Sequence, residues 1–413
     1  MSASDLKHSL RKFEFPACAK EALVRIEQLL AGRTAPSSKH VDLAMDIISE
    51  FVFCEVDRRS GRRGSTLSAT QELHLSQIIC DYLLTCKNET IKNTIFLSLF
   101  GGNECMKRLK ILSILASIAV SASSAPALLA VGVWLQQMGC SSPQSLQLVE
   151  NIIRDHFYLN CSNKIALRSL AKTAPQFLAN FITAVTELYV REIHGVVKMP
   201  PLNLLEAITS WVRSGRTPQV CSLPPLCMSA QLNPPALPSG SIPMAAVTPL
   251  AGLVHWCALA PLYIDEDSQI EMEEVIPLKK MKLEDESVTA PAEPPRCTQR
   301  DLYVKLHLGV LHSMRAGRRA QGPPTAVNAQ HIAAVAPAVQ ARALALRSQA
   351  RSVQGDHRLQ TCLDRLGQAV QLALSNGCVY GNINSLLASL ESLPENRLLR
   401  IVIKSARDKG YAQ

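Results

Sequence analysis

The chain has 413 residues, of which 47% are hydrophobic and only 5% aromatic, and its formal net charge is +9. That is enough apolar material for a continuous core in two or three domains or one extended array, and it excludes a chain too polar to fold. Few aromatics beside abundant Leu, Ala and Ile favour helix packing over sheets, and thirteen cysteines without a Cys-x-x-Cys pair argue against a zinc ribbon or finger.

Met1 to Leu10 carry charge where a signal peptide would need an apolar core, so secretion is not expected. Pro16 opens a predicted helix with Ala19, Leu23, Ile26 and Leu30 on one face, and Gly32 is placed to end it. A second predicted helix carries Val41, Ala44, Ile48, Phe51 and Val52. The segment from Arg58 to Gly64 breaks the pattern, and Ser68 with Gln71 gives a capping-box signature before Leu75, Ile78, Ile79, Tyr82 and Leu83. Gly101, Gly102 and Asn103 predict a turn after Phe100, since they lack the Lys-Ser or Lys-Thr ending of a phosphate loop.

From Ile111 to Met138 no residue is charged, a stretch long enough to cross a bilayer on length alone. Ser121, Ser123, Ser124 and Pro126 fall in its middle, however, where a spanning helix would be most apolar, so two buried helices joined by a Ser-Ser-Ala-Pro turn are expected. Further helices are predicted after Pro143, after Pro175 with Phe177, Phe181, Val185 and Leu188, and after Pro201 with Leu204, Ile208, Trp211 and Val212. Connections this short make consecutive helices antiparallel neighbours.

Residues 214 to 249 are Pro-rich and predict an extended connection. Residues 264 to 298 hold the acidic run Asp265, Glu266, Asp267, Glu271, Glu273 and Glu274 and predict a disordered linker. Helix is expected to resume with Leu302, Leu306 and Val310. It continues through an Ala-rich stretch near 327 to 350, then Leu363, Leu366, Val370 and Leu374, and ends in a layer of Leu386, Leu387, Leu390, Leu398, Leu399 and Val402. The expected fold class is all-α, an α-solenoid-like stack of helical hairpins interrupted by Pro-rich and acidic linkers. The expected segments are an N-terminal helical array (1–213), a Pro-rich connection and helix (214–263), a disordered charged linker (264–298) and a basic C-terminal helical block (299–413). Net charge by block is about +6 over 1–263, about −6 over 264–298 and about +9 over 299–413, so an acidic partner would be drawn to the last block.

Nothing in the pattern converges on catalysis. His74, His156, His194 and His255 lie on different predicted elements, and no His-Glu-x-x-His spacing occurs. No enzyme, cofactor, metal site, membrane span or small-molecule substrate is therefore expected. Trp134, Trp211 and Trp256 sit at helical spacing with Leu or Val and read as core residues. Lys279, Lys280 and Lys282, following Pro277, form a candidate nuclear import signal, and Met281 to Glu284 fit the apolar-Lys-x-Glu pattern of ubiquitin-like modification. Arg58, Arg59, Arg62 and Arg63 could touch phosphates, as could Arg315, Arg318 and Arg319. No aromatic residue interleaves them, so they read as solvated loops. The charge of the C-terminal block nonetheless leaves a helical-repeat RNA-binding protein as a second reading.

The apolar layers themselves resemble a family. Ala19 to Leu30 (AKEALVRIEQLL), Gln71 to Leu83 (QELHLSQIICDYL), Phe181 to Tyr189 (FITAVTELY), Pro200 to Val212 (PPLNLLEAITSWV), Thr248 to Leu262 (TPLAGLVHWCALAPL) and Leu363 to Gly377 (LDRLGQAVQLALSNG) are similar, in order and spacing, to subunit fifteen of the Integrator complex. That complex is a nuclear assembly acting with RNA polymerase II. The resemblance implies a non-catalytic α-solenoid scaffold in the nucleus, bound to other Integrator subunits and associated with the module of subunits ten, thirteen and fourteen. It would serve small nuclear RNA 3′-end processing and transcription attenuation, meeting RNA indirectly through the complex. Residues 214–243 and 314–355 depart from the family pattern in their Pro and their Ala and Arg content.

Overall fold

The computed structural model describes residues 3–30, 38–56, 67–102, 105–159, 164–193, 195–213, 249–264, 298–317, 327–348 and 353–410. Gly32, Arg58, Arg59, Arg62, Arg63, Asn103, His194, Arg318, Arg319, the Pro-rich residues to 248 and the charged stretch with Lys279, Lys280 and Lys282 lie outside them. The described chain is all-α apart from two short strand pairs. It forms two compact units.

The first unit holds α1 (Ala3–Leu10), α2 (Ala17–Leu30), α3 (Ser38–Ile47), α4 (Ala69–Thr85), α5 (Glu89–Phe100), α6 (Cys105–Ser121), α7 (Ala125–Met138), α8 (Pro143–Ile153), α9 (Lys164–Thr173) and α10 (Pro175–Leu188). Its local signals are physical. Ser68 accepts the Gln71 N–H at 3.4 Å while the Gln71 side chain accepts the Ser68 N–H at 2.9 Å, the capping box expected at the start of α4. Asn88 and Ser142 accept N–H groups at the starts of α5 and α8. The uncharged stretch breaks after Ser121 and resumes at Ala125 with Pro126 in the first turn, so the two-helix reading holds. No described helix is long and apolar enough to cross a membrane.

Much of the packing in this unit runs to the next helix but one, α4 on α6, α6 on α8, α8 on α10 and α5 on α7, and α10 also lies on α7, three helices back. Stacked hairpins produce this pattern, because each helix meets its counterpart in the adjacent hairpin. Two of these helices approach closely at Gly132 of α7, where a Cβ would stand 2.9 Å from the Phe177 Cα of α10. Asn180 of α10 donates to the Gly132 carbonyl at 2.8 Å across the same contact.

Two helices do not end as simple periodicity predicts. α3 passes into a π-helical turn, Ile48–Val52, and α8 into another, Arg154–Leu159. Ala44, Ile48, Phe51 and Val52 are buried, but Val41, one turn earlier, stays 38% exposed, so the apolar stripe outruns the surface it packs on. The first π turn sets Ser49 and Glu55 beside Arg108 of α6, which is fully buried.

The second unit contains a hairpin of β1 (Glu192–Ile193) and β2 (Val196–Val197), then α11 (Leu202–Arg213), α12 (Pro249–Tyr263) and α13 (Gln299–Gly317). It continues with β3 (Val327–Asn328), α14 (Ala329–Ala333), α15 (Val335–Ser348), α16 (Val353–Ser375), β4 (Val379–Tyr380), α17 (Ile383–Glu391) and α18 (Arg397–Asp408). α13 packs on α11 and α16, and α16 on α18, where Gly367 leaves room for the half-buried Leu398. β3 and β4 pair in parallel, Val327 with Val379 and Asn328 with Tyr380. The buried Asn328 side chain then accepts the Gln330 N–H at 2.8 Å and starts α14.

Candidate docking surfaces

Polar chemistry in the core is structural. Trp134 donates to the Phe100 carbonyl at 2.9 Å and Trp256 to the Tyr189 carbonyl at 3.1 Å, and Trp211 is buried as well, so all three tryptophans are core residues as expected. Burial, with help from Asp81, pushes the Cys80 thiol up to about 11. Burial likewise pushes the thiols of Cys140 and Cys362 up to about 12. Such thiols stay protonated at neutral pH and are poor nucleophiles. Among the described residues no group of three or more His, Cys, Asp or Glu is placed to hold a metal ion.

The described histidines are dispersed. His74 is exposed on α4, and His156 is buried in the second π turn. His255 of α12 places Nε2 2.7 Å from the His331 carbonyl, and His307 of α13 places Nε2 2.9 Å from Gln368 Oε1. Burial lowers the affinity of His156, His255, His307 and His331 for a proton, His255 to about 4. Below the ordinary histidine value of about 6.5 the unfolded chain takes up these protons before the folded one does, so stability falls as pH drops. Urea midpoints measured from about pH 7 down to about pH 5 should decline through this window. A flat profile would show that these side chains titrate normally.

Two concave surfaces belong to the second unit. One, of about 400 Å³, lies between the end of α17 and α18 and is lined by Leu393, Leu399 and Ile403 with Glu391, Glu395, Arg400 and Arg407 at its edges. Arg400 pairs with Glu395 and Arg407 with Glu391, each at 2.7 Å, so much of its charge is internally matched. The other, of about 680 Å³, lies where the end of α12 meets the first turns of α13 and the N-terminal half of α16. Arg300, His357, Arg358 and Arg365 line it, against a single carboxylate, Asp301. Thr298 and Asp301 exchange hydrogen bonds at 3.2 Å, each side chain accepting the other's N–H, and those bonds hold the exposed Asp301 carboxyl below its usual range. Arg365 donates to the Cys257 carbonyl at 3.0 Å, and its burial costs the guanidinium some proton affinity.

Of the basic residues singled out in the sequence, Arg315 is described and exposed in the last turn of α13. Sequence reasoning missed Arg300, Arg358 and Arg365; the last two share α16, and Arg300, far from them in the chain, joins them only through the packing of α13 on α16. A basic residue near the start of each of those helices was the available signal.

The family profile described as Integrator complex subunit 15 matches residues 4–395. The chain belongs to the Integrator complex subunit 15 family. Over 98% of its length it is 34% identical to Integrator complex subunit 15 of Drosophila melanogaster, covering 99% of that protein. The counterparts from Mus musculus and Homo sapiens are 28% and 26% identical over 97% of the chain, covering 86% of each. The subunit 15 match spans both compact units, so neither is an appendage foreign to the family.

Proposed function

We propose that this chain is a non-catalytic adaptor subunit of the nuclear Integrator complex. In this reading it links other subunits, the module of subunits ten, thirteen and fourteen among them, and so supports small nuclear RNA 3′-end processing and attenuation of RNA polymerase II transcription. The match to Integrator complex subunit 15 over residues 4–395 carries the reading. The architecture supports it: stacked helices expose long ridges and grooves, and obligate interfaces draw on apolar burial worth roughly 25 cal/mol per Å².

The charge of residues 299–413 favours RNA as a second ligand class. Against it, Arg400 and Arg407 on α18 are held by glutamates, and the α18 sequence offers no aromatic ring for a base to stack on. Affinity purification of the tagged chain from nuclear extract at moderate salt, with and without nuclease, separates the two. Integrator subunits should be recovered in both samples. Their absence would overturn the adaptor reading, and loss with nuclease alone would favour RNA.

A further inference from the structure

Helix α13 carries a second apolar stripe that the described residues of its unit leave partly exposed. Val304 is 41% and Leu308 60% exposed, and the half-buried Leu311 follows them. Spacings of four and then three residues place the three on one heptad seam. The helix cannot turn this seam inward, because Leu302, Leu306 and Val310 on its other side are buried and α11 and α16 already occupy that side. At Gly309 a Cβ would come within 3.1 Å of Val212 on α11, so the contact there is already close.

The seam's surroundings have a sign. Lys305 and Arg315 are exposed on the same helix, and Val304 also lines the 680 Å³ cavity that holds Arg300, Arg358 and Arg365. Among the described residues lining that cavity the carboxylate is Asp301, which exchanges hydrogen bonds with Thr298 at the start of the helix. An aliphatic seam bordered by cations complements a helix with an aliphatic stripe bordered by carboxylates. It suits RNA less well, since Val and Leu give bases nothing to stack on.

We propose that the α13 seam docks an amphipathic helix of a protein partner, with its apolar stripe on Val304, Leu308 and Leu311 and its carboxylates facing Lys305, Arg315 and the arginine-lined cavity. The proposal rests on the adaptor reading and names the chemistry of one partner element.

The test uses the purified full-length chain and two labelled synthetic peptides of three heptads, both with Leu at a and d, one with Glu and one with Lys at e and g. The Glu peptide should bind, and the Lys peptide should bind at least about tenfold more weakly, a difference of about 1.4 kcal/mol. Leu308→Glu should weaken the Glu peptide by a similar factor, and Lys305→Glu with Arg315→Glu should move the preference toward the Lys peptide. Leu344→Glu, at a 65% exposed leucine of α15, should change nothing. Circular dichroism would establish that each variant folds. Equal binding of both peptides, or Glu-peptide binding indifferent to Leu308→Glu, overturns the proposal. So does displacement of the Glu peptide by an RNA oligonucleotide whose own binding falls with Lys305→Glu. Failure of the adaptor reading would look different: the Glu peptide would bind the purified chain while no Integrator subunit came down from nuclear extract.

Discussion

Replacing Arg108 with Ala should destabilise the first unit by an amount toward the lower end of the roughly 3–5 kcal/mol that breaking a buried ion pair costs, because the guanidinium is buried while Glu55 stays 28% exposed. The guanidinium donates to both Glu55 carboxylate oxygens, at 2.8 and 2.7 Å, to the Leu99 carbonyl at 2.8 Å and to Ser49 Oγ at 3.2 Å. It also lies 4.2 Å over the Phe53 ring. The variant therefore leaves a carbonyl and a hydroxyl without their donor and opens a void against an aromatic face. Arg108→Lys keeps the charge but cannot reproduce the paired donors, so it should recover only part of the loss. Urea unfolding followed by far-UV circular dichroism checks both variants. An Arg108→Ala midpoint within error of the parent would mean that the cluster contributes nothing net.

Trp134→Ala should cost a similar amount, about 3–5 kcal/mol, for a different reason. Trp134 is fully buried in the middle of α7, with its indole N–H on the Phe100 carbonyl. Phe100 itself packs against Phe96 and Phe53, with ring centroids 5.1 and 5.8 Å apart, so the indole hydrogen bond ties α7 to the helix that carries this aromatic cluster. Trp134→Phe would retain most of the apolar contact and lose the hydrogen bond, and should sit between parent and Ala. Thermal unfolding would rank the three, and an Ala variant as stable as the Phe variant would show that the indole volume is not what holds these helices.

The helices themselves were legible because their signals are local. Pro143 and Pro175 stand at the first positions of α8 and α10, and Ser68 with Gln71 closes the cap of α4, each decided within four residues of sequence. The π turns were not legible, since one extra residue per turn leaves the apolar spacing nearly unchanged. Nor was Val190, buried with a φ of 57°, a conformation β-branched residues avoid and that only surrounding structure can impose. The candidate surface was half legible. Periodicity finds Leu302, Leu306 and Val310, but α13 carries two apolar stripes, and which faces the core depends on where α11 and α16 lie. The Arg108 cluster joins positions more than fifty residues apart in the chain, and no window of sequence contains it.

Arg213, the last residue of α11, and Ala251, near the start of α12, belong to the same unit. The entropy of closing a flexible connection grows slowly, by only about 0.6 kcal/mol for each doubling of its length. Length between two helices of one unit is thus a weak thermodynamic variable, and residues added to the chain between α11 and α12 should change stability far less than a substitution within either helix.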